Sequence, residues 1–316
     1  MSMFKSPSEL APTSTLKVLV YGQPGAGKTT LALSAPNPVL FDFDGGINRV
    51  NKAFQVPTLQ VSKWEDVVAA IAELKTGSID FATIVVDTSG KMLDYMSDYI
   101  MRVDPKMKMR DGSLALKGYG KRKVMFTEFL KQCAMMGKNV VFVAHEKESS
   151  DNDTRIVRPD MSGSSLGDLL KELDLVGYVQ MIAKERTVSW TPEEKFYAKN
   201  TCALPAVMKI DTTINDKAEV VGENDFLSRV FATYNDYLKQ QAKIGEEYKR
   251  LIGDIAERID TIDGADAANA FIEDMNNGSF AHIWDSQARA RRLFGDKVKQ
   301  LNLEFDKKTK RYVTQG

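Results

Sequence analysis

Residues 16–30 read Leu16-Lys17-Val18-Leu19-Val20-Tyr21-Gly22-Gln23-Pro24-Gly25-Ala26-Gly27-Lys28-Thr29-Thr30. A short β-rich apolar run leads into Gly22 to Thr29, which fits the pattern G-x-x-x-x-G-K-[ST] without a mismatch. Thr30-Leu31-Ala32-Leu33 then opens a helix. Strand, glycine-rich loop and helix N-terminus form the context in which this pattern cradles a polyphosphate. The glycines let backbone N–H groups turn inward, Lys28 supplies a cation for the outer phosphates, and the Thr29 hydroxyl is placed to ligate Mg²⁺. Residues 22–30 therefore predict a nucleoside triphosphate site.

Outward from this loop, apolar runs alternate with helical patterns. The runs are 16–21, 38–43, 82–87 and 139–144, and each is too continuous to leave one face in water. Val67, Val68, Ile71 and Leu74 recur at helical spacing over 64–74 before Gly77, and 124–136 repeats the arrangement before Gly137. The prediction is an α/β fold: a mainly parallel sheet flanked by helices. Further on, 175–182 and 195–198 read as strands joined by a turn near Trp190-Thr191-Pro192, hence an antiparallel hairpin at the end of the core. From Asp225 the pattern is helical, punctuated at Gly245, Gly264, Gly278 and Gly295. The expected organisation is a flexible arm (1–15), a core (16–232) and a small helical C-terminal segment with a basic tail (233–316).

Polar residues close three of the strands. In an open parallel sheet, ligands gather at the carboxyl ends of the strands. Ile84-Val85-Val86-Asp87 ends in a carboxylate suited to hold Mg²⁺ opposite Thr29. Run 38–43 carries Asp42 and Asp44, on one side of an extended segment, before Gly45-Gly46. Asp44 is the favoured candidate to orient and deprotonate an attacking water. Run 139–144 leads to His145-Glu146, and His145 is placed to sense the γ-phosphate.

Composition constrains the remaining classes. The chain has 316 residues and a formal net charge of zero. No apolar run approaches the ~18 residues of a membrane span, and no signal-peptide core opens the chain, so a cytoplasmic protein is expected. Cys133 and Cys202 sit apart among apolar residues, which predicts buried thiols, and His145 and His282 are too few for His-rich metal chemistry. Charge is segregated: residues 101–123 carry eight bases against two acids, 245–285 ten acids against three bases, and 286–316 nine bases against three acids.

The order of phosphate loop, acidic second strand, acidic strand end and polar strand end resembles the RecA-type P-loop NTPase core. Within that group, the chain most resembles the compact phage RecA-like proteins classed with the single-strand annealing recombinases of the RecA/RadA superfamily. The residues that carry this are Gly22 to Thr30, Asp42 to Gly46, Val85 to Thr88, Ala144 to Lys147, Arg158 to Gly163, and Lys199-Asn200 with Leu204-Pro205. Residues 16–225 are covered and the C-terminal part is not.

The resemblance implies ATP and Mg²⁺ as cofactors and Lys28, Asp44, Asp87, His145 and Lys199 as catalytic residues. Asp44 stands where the family usually has Glu, one methylene longer. Lys199 matches the first of two bases that enter a neighbouring subunit's ATP site, and Thr201 replaces the second. The resemblance further implies head-to-tail self-assembly, a host cytoplasm if phage-encoded, and single-stranded DNA held by two loops. The first would carry Arg102, Lys106, Lys108, Arg110, Lys117, Tyr119, Lys121, Arg122 and Lys123. The second, 147–165, would carry Arg155 and Arg158.

The expected function is an ATP-dependent, single-stranded-DNA-binding recombination or annealing protein, with DNA-stimulated hydrolysis. The C-terminal segment is expected to form a small helical core or to meet a partner such as a single-strand-binding protein. A helicase loader or motor, a P-loop kinase and a nucleotide switch with little turnover share the same nucleotide motifs and stay open.

Overall fold

The computed structural model describes residues 15–151, 154–161 and 165–314; the expected N-terminal arm, except for its last residue, and Ser162-Gly163-Ser164 lie outside them. The chain divides into two compact units: one of Ser14–Asn235, and one whose described part lies within Asp236–Gly316.

The larger unit begins with β1 (Lys17–Gly22), α1 (Lys28–Ala32), β2 (Pro38–Asp42), β3 (Thr58–Gln60), α2 (Trp64–Lys75) and β4 (Thr83–Asp87). It continues through α3 (Ser89–Val103), α4 (Leu116–Met135), β5 (Asn139–Asp151), β6 (Thr154–Pro159) and α5 (Ser165–Glu172). Three further strands follow, β7 (Leu175–Ile182), β8 (Glu185–Ser189) and β9 (Val207–Lys209). The strands form one sheet in the order β3-β2-β4-β5-β1-β7-β8-β9, with β6 paired to β5 alone. Pairing is parallel from β3 to β7 and antiparallel beyond it.

The continuous apolar runs account for this layout. Val18, Leu19, Val20, Tyr21, Ile84, Val85 and Val86 are all fully buried, because helices cover both faces of a parallel sheet. The α2 helix turns Trp64, Val67, Ile71 and Leu74 to the core, while Asp66 accepts from the Ser62 and Lys63 amides to cap its start. Both cysteines are free and buried, and burial pushes the Cys133 thiol up to about 12.

Three expectations are corrected. The antiparallel hairpin pairs β7 with β8 around Ala183-Lys184, both in left-handed conformation, and Lys195–Ala198 forms only isolated bridges. That two-residue turn carries no Gly or Asn, so its left-handed geometry has no marker in the sequence. Residues 147–165 are not a loop throughout: β5 runs on past His145 and folds back as β6. Residues 102–123 are not one loop either: α3 reaches Val103, a 3₁₀ turn covers Pro105–Met107, and α4 starts at Leu116.

The α6 helix (Phe226–Asp260) contains the expected boundary near residue 232 and passes from the larger unit into the smaller. The smaller unit adds α7 (Ala265–Asn276), α8 (Ser286–Gln300), β10 (Leu303–Asp306) and β11 (Arg311–Thr314). Phe271 stacks on both Phe280 and Phe294, with Ile255, Ile259 and Ile262 beside them. Gly245 and Gly295 lie inside helices, and the basic tail closes as the β10–β11 hairpin instead of continuing helical. Among the described residues, no helix is long and apolar enough to cross a membrane.

Phe142 is fully buried on β5 and packs against Phe126 with ring centroids 5.8 Å apart. Phe142→Ala is expected to lower unfolding stability by about 3–5 kcal/mol, read from urea denaturation, because the sheet's backbone pairing prevents the cavity from collapsing.

Candidate nucleotide site

At the end of β1, the backbone must turn sharply and close against its neighbour. A Cβ on Gly22 would stand 2.3 Å from the Val179 carbonyl oxygen of β7, so the first loop position admits no side chain. Gly25 and Gly27 take φ of +80° and +76°, which glycine adopts without strain. The loop then delivers Lys28 as the first residue of α1. Lys28 is buried, and its Nζ donates to the Gln23 carbonyl at 2.7 Å. Burial lowers its pKa, opposed by the nearby charges of Asp87, Glu146 and Asp44.

β4 and β2 bring in the acids. The Thr29 hydroxyl donates to Asp87 Oδ2 at 2.5 Å. Asp42 and Asp44, two residues apart, have different tasks. The Asp42 carboxylate accepts from the Gly46 and Ile47 amides at 2.9 and 3.1 Å, and more weakly from that of Asp44. It therefore holds the turn. Asp44 lines the cavity, 3.7 Å from Arg49, with its Oδ1 buried and without a hydrogen bond. A Cβ on Gly46 would sit 3.1 Å from Asp44 Oδ1 and 3.3 Å from Asp87 Oδ2, so Gly46 lets the two carboxylates approach.

β5 supplies the third edge. It lies between β1 and β4, with His145 in register with Gly22 and Val143 with Asp87. The His145 Nδ1 is buried without a partner, and burial together with Lys28 lowers its pKa, which keeps the imidazole neutral. Lys28, Thr29, Asp44, Asp87 and His145 thus line one cavity of about 340 Å³, together with Gly25, Gly27 and Arg49.

A family model described as an AAA domain matches residues 14–202, a span that includes every residue lining this cavity. The chain belongs to the AAA-domain family of P-loop ATPases. No curated protein matches it.

The AAA domain's donor set fits Mg²⁺. This ion keeps several waters and takes one or two protein oxygens besides those of the phosphates. The Thr29 hydroxyl and the Asp87 carboxylate stand ready as such a pair. Bound there, the ion would neutralise charge developing on the phosphates. Among the described residues, no cluster of three or more His, Cys, Asp or Glu could hold a metal unaided. Desolvation by burial raises the Asp87 pKa to about 6, against the Thr29 hydrogen bond and with the help of Asp44 and Asp42.

Other expected site residues of the AAA domain lie apart from this cavity. Lys199 donates from Nζ to the carbonyls of Leu170 and Leu173, capping the end of α5 in its own chain. Arg102 is held by Glu65 and Lys121 by Asp104. Arg122 is buried, 4.8 Å from the Tyr119 ring centre, and reaches the Ser97 hydroxyl, so it packs α4 on α3 and is not presented to a ligand. Lys106, Lys108, Arg110, Lys117 and Lys123 are exposed. Arg155 belongs to β6, and Arg158 lies over the Tyr197 ring at 5.4 Å.

Sequence reasoning gave no role to Arg49, Glu146 or Arg186. Arg49 follows Asp44 at a spacing that only the intervening 3₁₀ turn makes meaningful. Glu146 was visible beside His145, and its Oε2 is buried without a partner.

In the nucleotide-free protein, ionised Asp87 is the costly form, because its carboxyl titrates at about 6 when folded against an ordinary 3.8. The stability it contributes at low pH is lost as pH rises from about 4 through 6. Asp87→Asn is therefore expected to stabilise the nucleotide-free chain at neutral pH, on the order of 3 kcal/mol. Urea titrations across pH should show that gain shrinking below about pH 6 and vanishing near pH 4.

Proposed function

We propose that this ATPase couples ATP binding to the binding of single-stranded DNA and serves as a recombination or annealing protein. The observation that carries the reading is the continuity of β5. One strand, Asn139–Asp151, takes His145 to the nucleotide cavity and Lys147 into the β5–β6 hairpin two residues later. There Lys147 stands directly opposite Arg158 in the antiparallel register. Like charges at directly opposed positions repel, and a phosphodiester between them relieves the repulsion. Lysines and arginines on phosphates also release counterions, which gives salt-dependent affinity. Lys106, Lys108, Arg110 and Lys117 are exposed as well and offer further cations to a polyanion. A γ-phosphate contact at His145 then steadies the strand that presents the hairpin, and DNA tightens ATP binding by the same factor.

For hydrolysis, Lys28 would absorb charge on the phosphates and Asp44 would position the water, while Mg²⁺ held by Thr29 and Asp87 would supply further charge neutralisation. Completion of a neighbour's site by Lys199 requires it to leave the Leu170 and Leu173 carbonyls. Its engagement there favours a second reading, a self-contained nucleotide switch with slow turnover, for which the short Asp44 also speaks.

ATP turnover with and without a single-stranded oligonucleotide, followed across protein concentration, tests both. The proposal expects turnover to rise several-fold with DNA and Lys147→Glu/Arg158→Glu to lose that rise. Turnover indifferent to DNA and to concentration, and unaltered in Lys199→Ala, would support the switch and overturn the DNA reading.

A further inference from the structure

Arg186 lies on β8, opposite Met181 of β7, and its carbonyl accepts from the Ile210 amide at 2.8 Å. The strand is thus paired on both edges where this residue leaves it, and the side chain starts from a rigid base. Its guanidinium lies against the phosphate loop: a Cβ built on Gly27 would stand 2.2 Å from Nη1 and 3.3 Å from Cζ. No carboxylate comes within ion-pair distance of it among the described residues, nor does it make a side-chain hydrogen bond. It borders a second cavity of about 900 Å³ on the flank of the loop, with Gln23, Ala26, Tyr178, Gln180 and Phe196.

A half-buried guanidinium without an anion is costly unless something arrives to pair with it. Burial alone lowers its pKa, with no neighbouring acid to oppose the shift. The two cations that line the nucleotide cavity are already engaged, Lys28 with the Gln23 carbonyl and Arg49 with Asp44, whereas Arg186 reaches the phosphate loop at Gly27 from the neighbouring cavity. Guanidinium forks match phosphate oxygens bidentately.

We infer that Arg186 binds the polyphosphate of the nucleotide held by its own chain, as a cation supplied in cis beside Gly27. The inference rests on the P-loop holding a nucleoside triphosphate and does not depend on the coupling to DNA. Arg186 does within one subunit part of what Lys199 was expected to do between two. It also gives Gly27 a second reason to be glycine, since any side chain there would displace the guanidinium.

Titration of the full chain with a fluorescent ATP analogue in Mg²⁺ tests this on wild type, Arg186→Gln, Arg186→Lys and Lys28→Ala. Arg186→Gln is expected to weaken binding about ten-fold to a hundred-fold, the worth of one charge-assisted hydrogen bond. Arg186→Lys should recover part of that loss. The loss should be the same at all protein concentrations and smaller for AMP than for ATP. Wild-type affinity in Arg186→Gln, with binding lost in Lys28→Ala, would overturn the inference while leaving the P-loop reading intact. Unchanged affinity in both variants would overturn the P-loop reading and this inference with it. If Arg186→Gln does not fold, Arg186→Met, which keeps much of the apolar stem and removes the charge, carries the test: wild-type affinity for ATP in that variant would overturn the inference.

Discussion

Parallel pairing of β5 with both β1 and β4 is the constraint on which the site depends. The phosphate loop leaves one of those neighbours and the acidic strand end the other. Backbone hydrogen bonds along both edges of β5 set the heights of Gly22, Asp87 and His145 relative to one another. A slip of one residue would turn His145 away from the cavity and its apolar neighbours out of the core. Val140 to Ala144 are essentially fully buried, so the register that buries them also aims the imidazole.

Around that frame the site balances charges at the edge of a dry core. A buried lysine is depressed and a buried aspartate is raised, each by its own desolvation, with the other as partial compensation. Asp42 gives up its carboxylate to the turn amides, which frees Asp44 to face the cavity. Such a site is most comfortable with ligands present. A polyphosphate would compensate Lys28 and Arg186, and a divalent cation would compensate Asp87.

Much of this was legible in the chain. The strand–loop–helix around Gly22 to Thr29, the helix over 64–74 and the acidic end of 82–87 follow from local pattern, because buried parallel strands and amphipathic helices impose it. What escaped notice depends on tertiary pairing. The β7–β8 turn runs through Ala183-Lys184, residues that carry no turn signal. Basic residues over 102–123 looked alike in sequence, yet Glu65, Asp104 and Tyr119 engage three of them, and those partners are set by how α3, α4 and α2 pack. Arg186 lies more than 150 positions from Gly27, and only the place of β8 beside β7, which pairs in turn with β1, brings the two together.

The central claim is that nucleotide occupancy is transmitted along β5 to the basic hairpin, and hydrogen–deuterium exchange tests it most directly. With Mg²⁺ and a non-hydrolysable ATP analogue, but no DNA, the amides of 146–151 and 154–159 should gain protection together with those of the phosphate loop. Protection confined to the loop and α1, with the hairpin exchanging as in the nucleotide-free chain, would contradict it.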